Sequence, residues 1–216
     1  MDKPASSSAP LHPIIAARWS PRSLDPAGEV SDASLRALLE AARWAPSDGN
    51  TQPARFLLGR RGTDTFARIF DTLNRGNKSW AGGAAVLLLA CAKLENEKGP
   101  IPHAEYSVGL ASQNLVLQAV AEGLAAHQMG GFNVEAARAV FSLPTDVLPL
   151  TVIAVGRPAS PDLLPEAMRA KELAPRRRLP LDQIAFTHEW GTPAFSDAEP
   201  APSPDAGSPR PGHRAG

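Results

Sequence analysis

Between Tyr106 and Ala121 the chain reads as helix and contains no Asp, Glu, Lys or Arg. A helix on the surface of a soluble protein keeps a charged face, whereas one that is apolar around most of its circumference must be covered on nearly every side. Val108, Ala111, Leu115 and Ala119 form one stripe at helical spacing, and Leu117, Val120 and Leu124 form another on a different side. The segment is therefore expected to be either a central core helix or part of a subunit interface. Gln113, Asn114 and Gln118 add amides that need partners wherever they are buried, which favours an interface or a ligand. The pattern leaves a monomer's core helix equally open.

The rest of the composition narrows the class. The chain has 216 residues, 43% hydrophobic and 20% charged, enough for one globular domain with extensions. Lys plus Arg number 22 and Asp plus Glu also 22, so no overall field draws the protein to nucleic acid or to an anionic membrane. Cys91 is the single cysteine, which rules out an internal disulfide and a cysteine-based zinc site. The start, "MDKPASSSAPLHP", lacks a signal-peptide core, and the longest apolar run, Ala84 to Ala92, is too short to span a bilayer. A soluble, cytoplasmic protein with no membrane partner is expected. Composition further sets off residues 1–13 as a flexible N-terminal segment and residues 196–216 as a disordered Pro/Ser/Ala/Gly-rich tail, leaving 14–195 as the ordered domain.

Within that body, Ser31 can cap a helix carrying Leu35, Leu38, Leu39 and Ala42, which should stop near Trp44 because Pro46 disfavours helical geometry at Ala45. "RFLLG" (55–59), "AAVLLLACA" (84–92) and "LTVIAVG" (150–156) read as strands, and Thr65–Leu73 and Val134–Phe141 as short helices. The expectation is α+β, a mixed or antiparallel sheet flanked by helices.

Four short stretches could carry chemistry. "ARWSPRSLD" sets Arg18, Ser20, Arg22 and Ser23 close together, a compact anion site because guanidinium groups bind phosphate bidentately and hydroxyls add short hydrogen bonds; a solvated turn would have the same composition. "APSDGNTQP" (45–53) joins a helix to a strand, and Asn50 and Gln52 each offer a donor and an acceptor suited to a heterocycle edge, although Asn and Gly there could simply make the turn. In "HQMGGF" (127–132) adjacent glycines after a long helix suggest a C-cap, with the second glycine letting a flat group approach the main chain; His127 on its own has no second ligand to make a metal site. In "APRRRLPLDQI" (174–184), Arg176 and Arg178 share a side of an extended segment and form a second fork for phosphate. A nucleic-acid-binding patch is the rival there, but the neutral net charge and the lack of interleaved aromatics oppose it. Motifs for dinucleotide, nucleotide, zinc-protease and serine-hydrolase sites are missing, so a reactive group would come from a cofactor.

Taken in order, "ARWSPRSLDP", "LLEAARWAPSDGNTQP", "YSVGLASQNLVLQAVAEGLAAHQMGGF", "PRRRLPL" and "EWGTP" (189–193) closely resemble the FMN-dependent nitroreductase family over about Ile14 to Pro193. The resemblance implies an α+β nitroreductase-like fold whose long core helix lies at a homodimer interface. It also implies an FMN site in which Arg18, Ser20 and Arg22, with Trp19 among the cofactor-binding residues, and the late pair Arg176 and Arg178 make phosphate-side and ribityl contacts, while an Arg18 near the pyrimidine end would favour the anionic reduced flavin. Asn50 and Gln52 would serve the ring, and the main chain of Gln128, Met129, Gly130 and Gly131 would lie beside flavin N5. It implies ping-pong transfer from NADH or NADPH to a nitroaromatic, quinone-like or related small acceptor, with no catalytic side chain. Some relatives are dehydrogenases or dehalogenases, and a divergent copy could only bind flavin. Where relatives carry other residues, this chain has Asp48 and Gly49 before Asn50, Ala54 for a Trp, Ser107 for an Asp, and Gly130 for an acidic residue.

Overall fold

A computed structural model describes residues 3–195. Within that range two compact units are present, one formed by residues 3–5 and 11–175 and the other by residues 6–10 and 176–195. The expected tail, 196–216, lies outside the described residues, as do residues 1 and 2.

The first unit runs α1 (Pro13–Ala17), α2 (Asp32–Arg43), β1 (Ala54–Arg60), α3 (Asp64–Thr72), α4 (Arg75–Ala81) and β2 (Val86–Lys93). A small hairpin follows, β3 (Glu95–Asn96) and β4 (Gly99–Pro100). Then come α5 (Ala104–Ala121), β5 (Ala125–Met129), α6 (Val134–Val140), β6 (Val147–Gly156) and α7 (Glu166–Leu173). The main sheet has the order β1-β2-β6-β5, and all its pairings are antiparallel. β2 and β6 sit in the middle, which is why both read as nearly continuous apolar runs. On β2, Val86, Leu88, Ala90 and Ala92 face a core shared with α2 and α5, while Leu87, Leu89 and Cys91 face a core shared with α3, α4 and α6. The result is three layers with the sheet between two helical ones. The register between β2 and β6 shifts at Ala90/Cys91, opposite Thr151 and Pro149. Pro149 therefore falls at a bulge, where a missing N–H does least harm.

Local signals account for the elements. The Ser31 hydroxyl accepts from the Ser34 amide at the start of α2, whose Leu35, Leu38 and Ala42 are buried. Thr63, Asn74 and Asn133 cap α3, α4 and α6 in the same manner. Such caps are worth about 1 kcal/mol each.

Two readings of the sequence need correction. Gly130 and Gly131 do not end the long helix, because Gly123, with φ +70°, supplies the left-handed turn after α5 and β5 intervenes. His127 accordingly sits on a strand, not on a helix turn. The five-residue strand was hidden because "AAHQM" follows an apolar helix with only Glu122 and Gly123 to mark the change. The helices α4 and α7 were also not anticipated.

The charge-free helix has two unlike faces. Val108, Ala111, Leu115, Val116 and Ala119 are buried inside the unit. On the other side Leu110, Leu117 and Val120 are only half-buried, Gly109 is exposed, and Tyr106 is 69% exposed. Its amides are partly satisfied within the chain: Asn114 donates to the Ala41 carbonyl of α2 at 3.2 Å and Gln118 to Glu122 at 2.9 Å. No helix among the described residues is long and apolar enough to cross a membrane.

Candidate functional site

The segment Arg18–Ser23 enters the fold between α1 and α2 and is held from several sides. Glu172 of α7, 1% exposed, accepts the amides of Arg22 at 2.8 Å and Ser23 at 3.1 Å. Its other oxygen faces the Arg22 guanidinium at 3.6 Å and has no hydrogen-bond partner. From β5, His127 Nδ1 lies 3.0 Å from the Pro21 carbonyl. A carbonyl can only accept, so Nδ1 carries the proton. The Ser23 hydroxyl donates to the Ser160 carbonyl at 2.5 Å. Residues 21–23 are thus held by these four hydrogen bonds, three at the backbone and one at the Ser23 hydroxyl, which reach three separate parts of the chain. The Arg18 guanidinium donates to the Ser20 hydroxyl at 3.1 Å, so the two residues form a pair of neighbouring donors.

Trp19 is half-buried and lies under the Lys3 ammonium, 4.7 Å from its ring centroid. Lys3 also donates to the carbonyls of Glu172 and Ala174, at 2.6 Å and 2.5 Å, capping the C-terminus of α7. His127 packs on Trp80, with ring centroids 4.6 Å apart. Its imidazole is held below the ordinary histidine range, first by burial and then by the positive charges of Arg22 and Arg18, against the opposing pull of the Pro21 hydrogen bond and Glu172.

Beyond His127 the strand turns into the glycine pair. Gln128 is exposed and its amide lies 3.5 Å from Gln113 of α5. Met129 is 2% exposed, so its side chain belongs to the core, and its carbonyl accepts from Thr151 at 3.1 Å. The two glycines do different things. A Cβ on Gly131 would lie 2.2 Å from the Asn74 amide, and the Gly131 carbonyl accepts from the Asn74 backbone at 3.0 Å and the Asn77 side chain at 2.9 Å. Gly131 is therefore bare because α4 packs on it. A Cβ on Gly130 would meet nothing within 4 Å. Gly130 is the open one, and the ledge it forms is firmly backed.

Asn50 and Gln52 lie elsewhere in the unit, in the loop between α2 and β1. Both are exposed and have positive φ, +56° and +50°, and Gly49 between Asp48 and Asn50 has φ +53°. The loop closes on itself: the Gln52 amide donates to Ser47 Oγ at 2.9 Å and Thr51 Oγ1 to the Asp48 carbonyl at 2.8 Å. It borders a cavity of about 300 Å³ lined by Arg43, Ser47, Gln52, Phe56, Ser107 and Ala111. Pro46, Ser47 and Asp48 also border a second hollow with Tyr106 and Leu110, on the uncovered face of α5.

Arg176 and Arg178 belong to the second unit. There the Arg178 guanidinium donates to the Arg177 carbonyl at 2.7 Å. Arg176 is held below its ordinary value by burial first and by repulsion from Arg178 second, so the two charges are neighbours, as the alternation of an extended segment requires.

Sequence reasoning missed Glu172 and undervalued His127. Nothing in "EAMRAKEL" singles out the second glutamate, whose burial follows from where α7 docks. For Asn74 a signal existed, since Asn after Leu73 and before a polar run is an N-cap signature.

The two-arginine segment and the bare ledge at Gly130 belong to the same unit. Residues 15–157 match the model of the Nitroreductase family, and the chain belongs to that family. An uncharacterised 15.4 kDa protein of Mycolicibacterium smegmatis is 38% identical over 147 residues, 64% of this chain and 99% of that protein. A Streptomyces coelicolor protein provisionally named NADH dehydrogenase/NAD(P)H nitroreductase is 31% identical over 155 residues, 61% of this chain and 75% of its own. Among solved structures, an oxidoreductase containing FMN superposes with TM-score 0.81 at 29% identity, covering 86% of this chain and 95% of that one. A Desulfovibrio desulfuricans protein provisionally classed as a nitroreductase, solved in complex with FMN, gives 0.65 at 27% identity, covering 84% and 99%. The family and the relatives' names support an oxidoreductase.

Proposed function

We propose that the protein is a homodimeric, FMN-dependent oxidoreductase that takes electrons from NADH or NADPH and passes them, in ping-pong fashion, to nitroaromatic, quinone-like or related small acceptors. The FMN-binding domain is assigned to residues 14–195. The observation that carries the reading is the tethered Arg18–Ser23 segment of a nitroreductase-family chain. A mere surface turn does not need four hydrogen bonds to three other parts of the fold.

The residues present fit FMN. Arg18 with Ser20 offers a guanidinium and a hydroxyl to a phosphate, and Arg22 adds a second positive charge behind them. In the second unit, Arg176 and Arg178 are a further pair of neighbouring cations suited to a phosphate. At Gly130 the space a Cβ would fill is open, so a flat ring can lie against the main chain of Gln128–Gly131. Asn50 and Gln52 present amide edges for the ring, and Trp19 is assigned to the cofactor site beside Arg18 and Ser20. Bound FMN would supply the redox chemistry, so no side chain has to act as nucleophile.

The outer face of α5 supports the dimer. From Tyr106 to Ala121 this outer face, with Leu110, Leu117 and Val120, carries no Asp, Glu, Lys or Arg and is only partly covered by the described residues of its own chain. Burying it against a second copy removes apolar area from water at about 25 cal/mol per Å². The loop carrying Asn50 adjoins Tyr106 and Leu110, so the same contact would rim that loop.

Purified protein is expected to be yellow, to release FMN on denaturation, and to bleach under anaerobic NADH or NADPH. Light scattering is expected to give twice the chain mass. Replacing Arg18 and Arg178 together with Gln should weaken FMN retention at least 100-fold on the order expected for lost charge-assisted phosphate contacts. A colourless monomer indifferent to added FMN ends the reading. A yellow protein that neither nicotinamide bleaches keeps the flavin and loses the donor.

A further inference from the structure

Glu172 is the strangest buried group among the described residues. Its side chain is 1% exposed, one oxygen serves two backbone amides, and the other has no hydrogen-bond partner. A carboxylate left half unsatisfied in the interior is destabilising, and an apolar residue of similar size at the end of a short helix would avoid that penalty. The Arg22 guanidinium, on a side chain 29% exposed, reaches that second oxygen at 3.6 Å. Glu172 therefore touches Arg22 twice, through its amide and through its guanidinium, and touches Ser23 next to it. On the opposite flank His127 holds the Pro21 carbonyl. Between them these two side chains fix the peptide units just after the Arg18–Ser20 pair.

We propose that Glu172 is a positioning residue for the phosphate-binding segment: it sets the Arg22 guanidinium and the 20–23 backbone in the arrangement that recognises a phosphomonoester. This rests on the FMN reading above and names a residue that the family motifs do not contain. Two physical effects of the carboxylate oppose each other. As a negative charge near a phosphate site it weakens anion binding. As the anchor of Arg22 and two amides it strengthens anion binding, because preorganised donors lose less freedom when the anion arrives. The proposal is that the second effect wins, so the sign of one measurement decides it.

Glu172→Gln is the informative variant. It is nearly isosteric and keeps an oxygen for the Arg22 and Ser23 amides, but it turns an NH2 group toward the Arg22 guanidinium and removes the ion pair. The test is titration of flavin-free protein with FMN and with riboflavin, which lacks the phosphate, followed by flavin fluorescence. Wild-type protein is expected to prefer FMN. In the Gln variant FMN affinity should fall at least tenfold while riboflavin affinity changes less than twofold. Unchanged or tighter FMN binding overturns the proposal, because bare electrostatics then dominates. Equal weakening of both flavins also overturns it, because Glu172 then merely supports the fold. If the Gln variant does not fold, Glu172→Asp carries the test: it keeps the charge but withdraws it by one methylene, and the same FMN-selective loss is expected, with no loss overturning the proposal. Wild-type protein that binds neither flavin defeats the FMN reading itself, a result separate from all of these.

Discussion

Residues 20–23 and residues 47–52 are both short, Ser-bearing turns that lead into or out of α2, and both carry family-motif residues. The first is tied to β5, to α7 and to the Ser160 segment, with Pro21 and Ser23 buried. The second is mostly exposed, bends through three residues of positive φ, and closes through its own hydrogen bonds. The contrast separates two ways of building a recognition element. A segment meant to meet a compact, highly charged group benefits from rigid preorganisation. A loop beside the uncovered face of α5 can be left to settle against whatever covers that face.

The comparison breaks most easily at Glu172. Glu172→Ala removes the acceptor of two amides and the counter-charge of Arg22, and is expected to destabilise the fold by about 3 kcal/mol. The matching deletion in the loop, Ser47→Ala, removes one exposed acceptor of the Gln52 amide and should destabilise by about 1 kcal/mol or less. Urea unfolding of the two variants measures both. Similar losses would mean that the two turns are anchored alike and that the distinction has no energetic content.

A second test concerns the glycine ledge. Gly131→Ala would drive a methyl group into the Asn74 amide, 2.2 Å from the ideal Cβ position, and into a glycine carbonyl network of two donors. Overpacking of this kind should destabilise by about 2 kcal/mol. Gly130→Ala meets open space, and an exposed alanine there should change stability by no more than about 0.5 kcal/mol. Thermal unfolding separates the pair. If Gly130→Ala proves the more destabilising, the assignment of the open glycine is wrong.

How far the sequence disclosed this arrangement differs between the layers. β2 and β6 were legible because a strand buried on both faces has to be apolar at every position, and α2 because Ser31 and the leucine spacing agree. β5 was not, since five residues adjoining an apolar helix carry no period of their own. At the site, the Arg18–Ser20–Arg22 cluster was legible as chemistry. What makes it more than a turn, Glu172 and His127, was not, because they lie 150 and 106 residues away from the positions they hold. Pairing across that distance is decided by the docking of α7 and β5, which no local pattern encodes. The two unlike faces of α5 were half legible: absence of charge marked the helix, but only the packing shows which side its own chain covers.

The smallest expected effect concerns pH and distinguishes the two turns by chemistry. His127 is the histidine tether of the 21–23 segment, with Arg18, Arg22 and Glu172 as the charges acting on it, whereas the bonds closing residues 47–52 involve no histidine. Burial and the two arginines hold the folded imidazole below the roughly 6.5 expected of an unfolded chain. Between those two values the unfolded state binds more protons than the folded one, so stability rises with pH there. The contribution is fully present above the unfolded value and is lost as pH falls toward the folded one. Its slope is bounded by about 1.4 kcal/mol per pH unit. Asn at position 127 can still donate to the Pro21 carbonyl but does not titrate. Urea midpoints of wild type and His127→Asn between pH 7.5 and pH 5 should therefore converge as the pH falls, with wild type losing more. Parallel profiles would show that the imidazole is as free to protonate in the fold as out of it, and that the braced segment owes nothing to a neutral histidine.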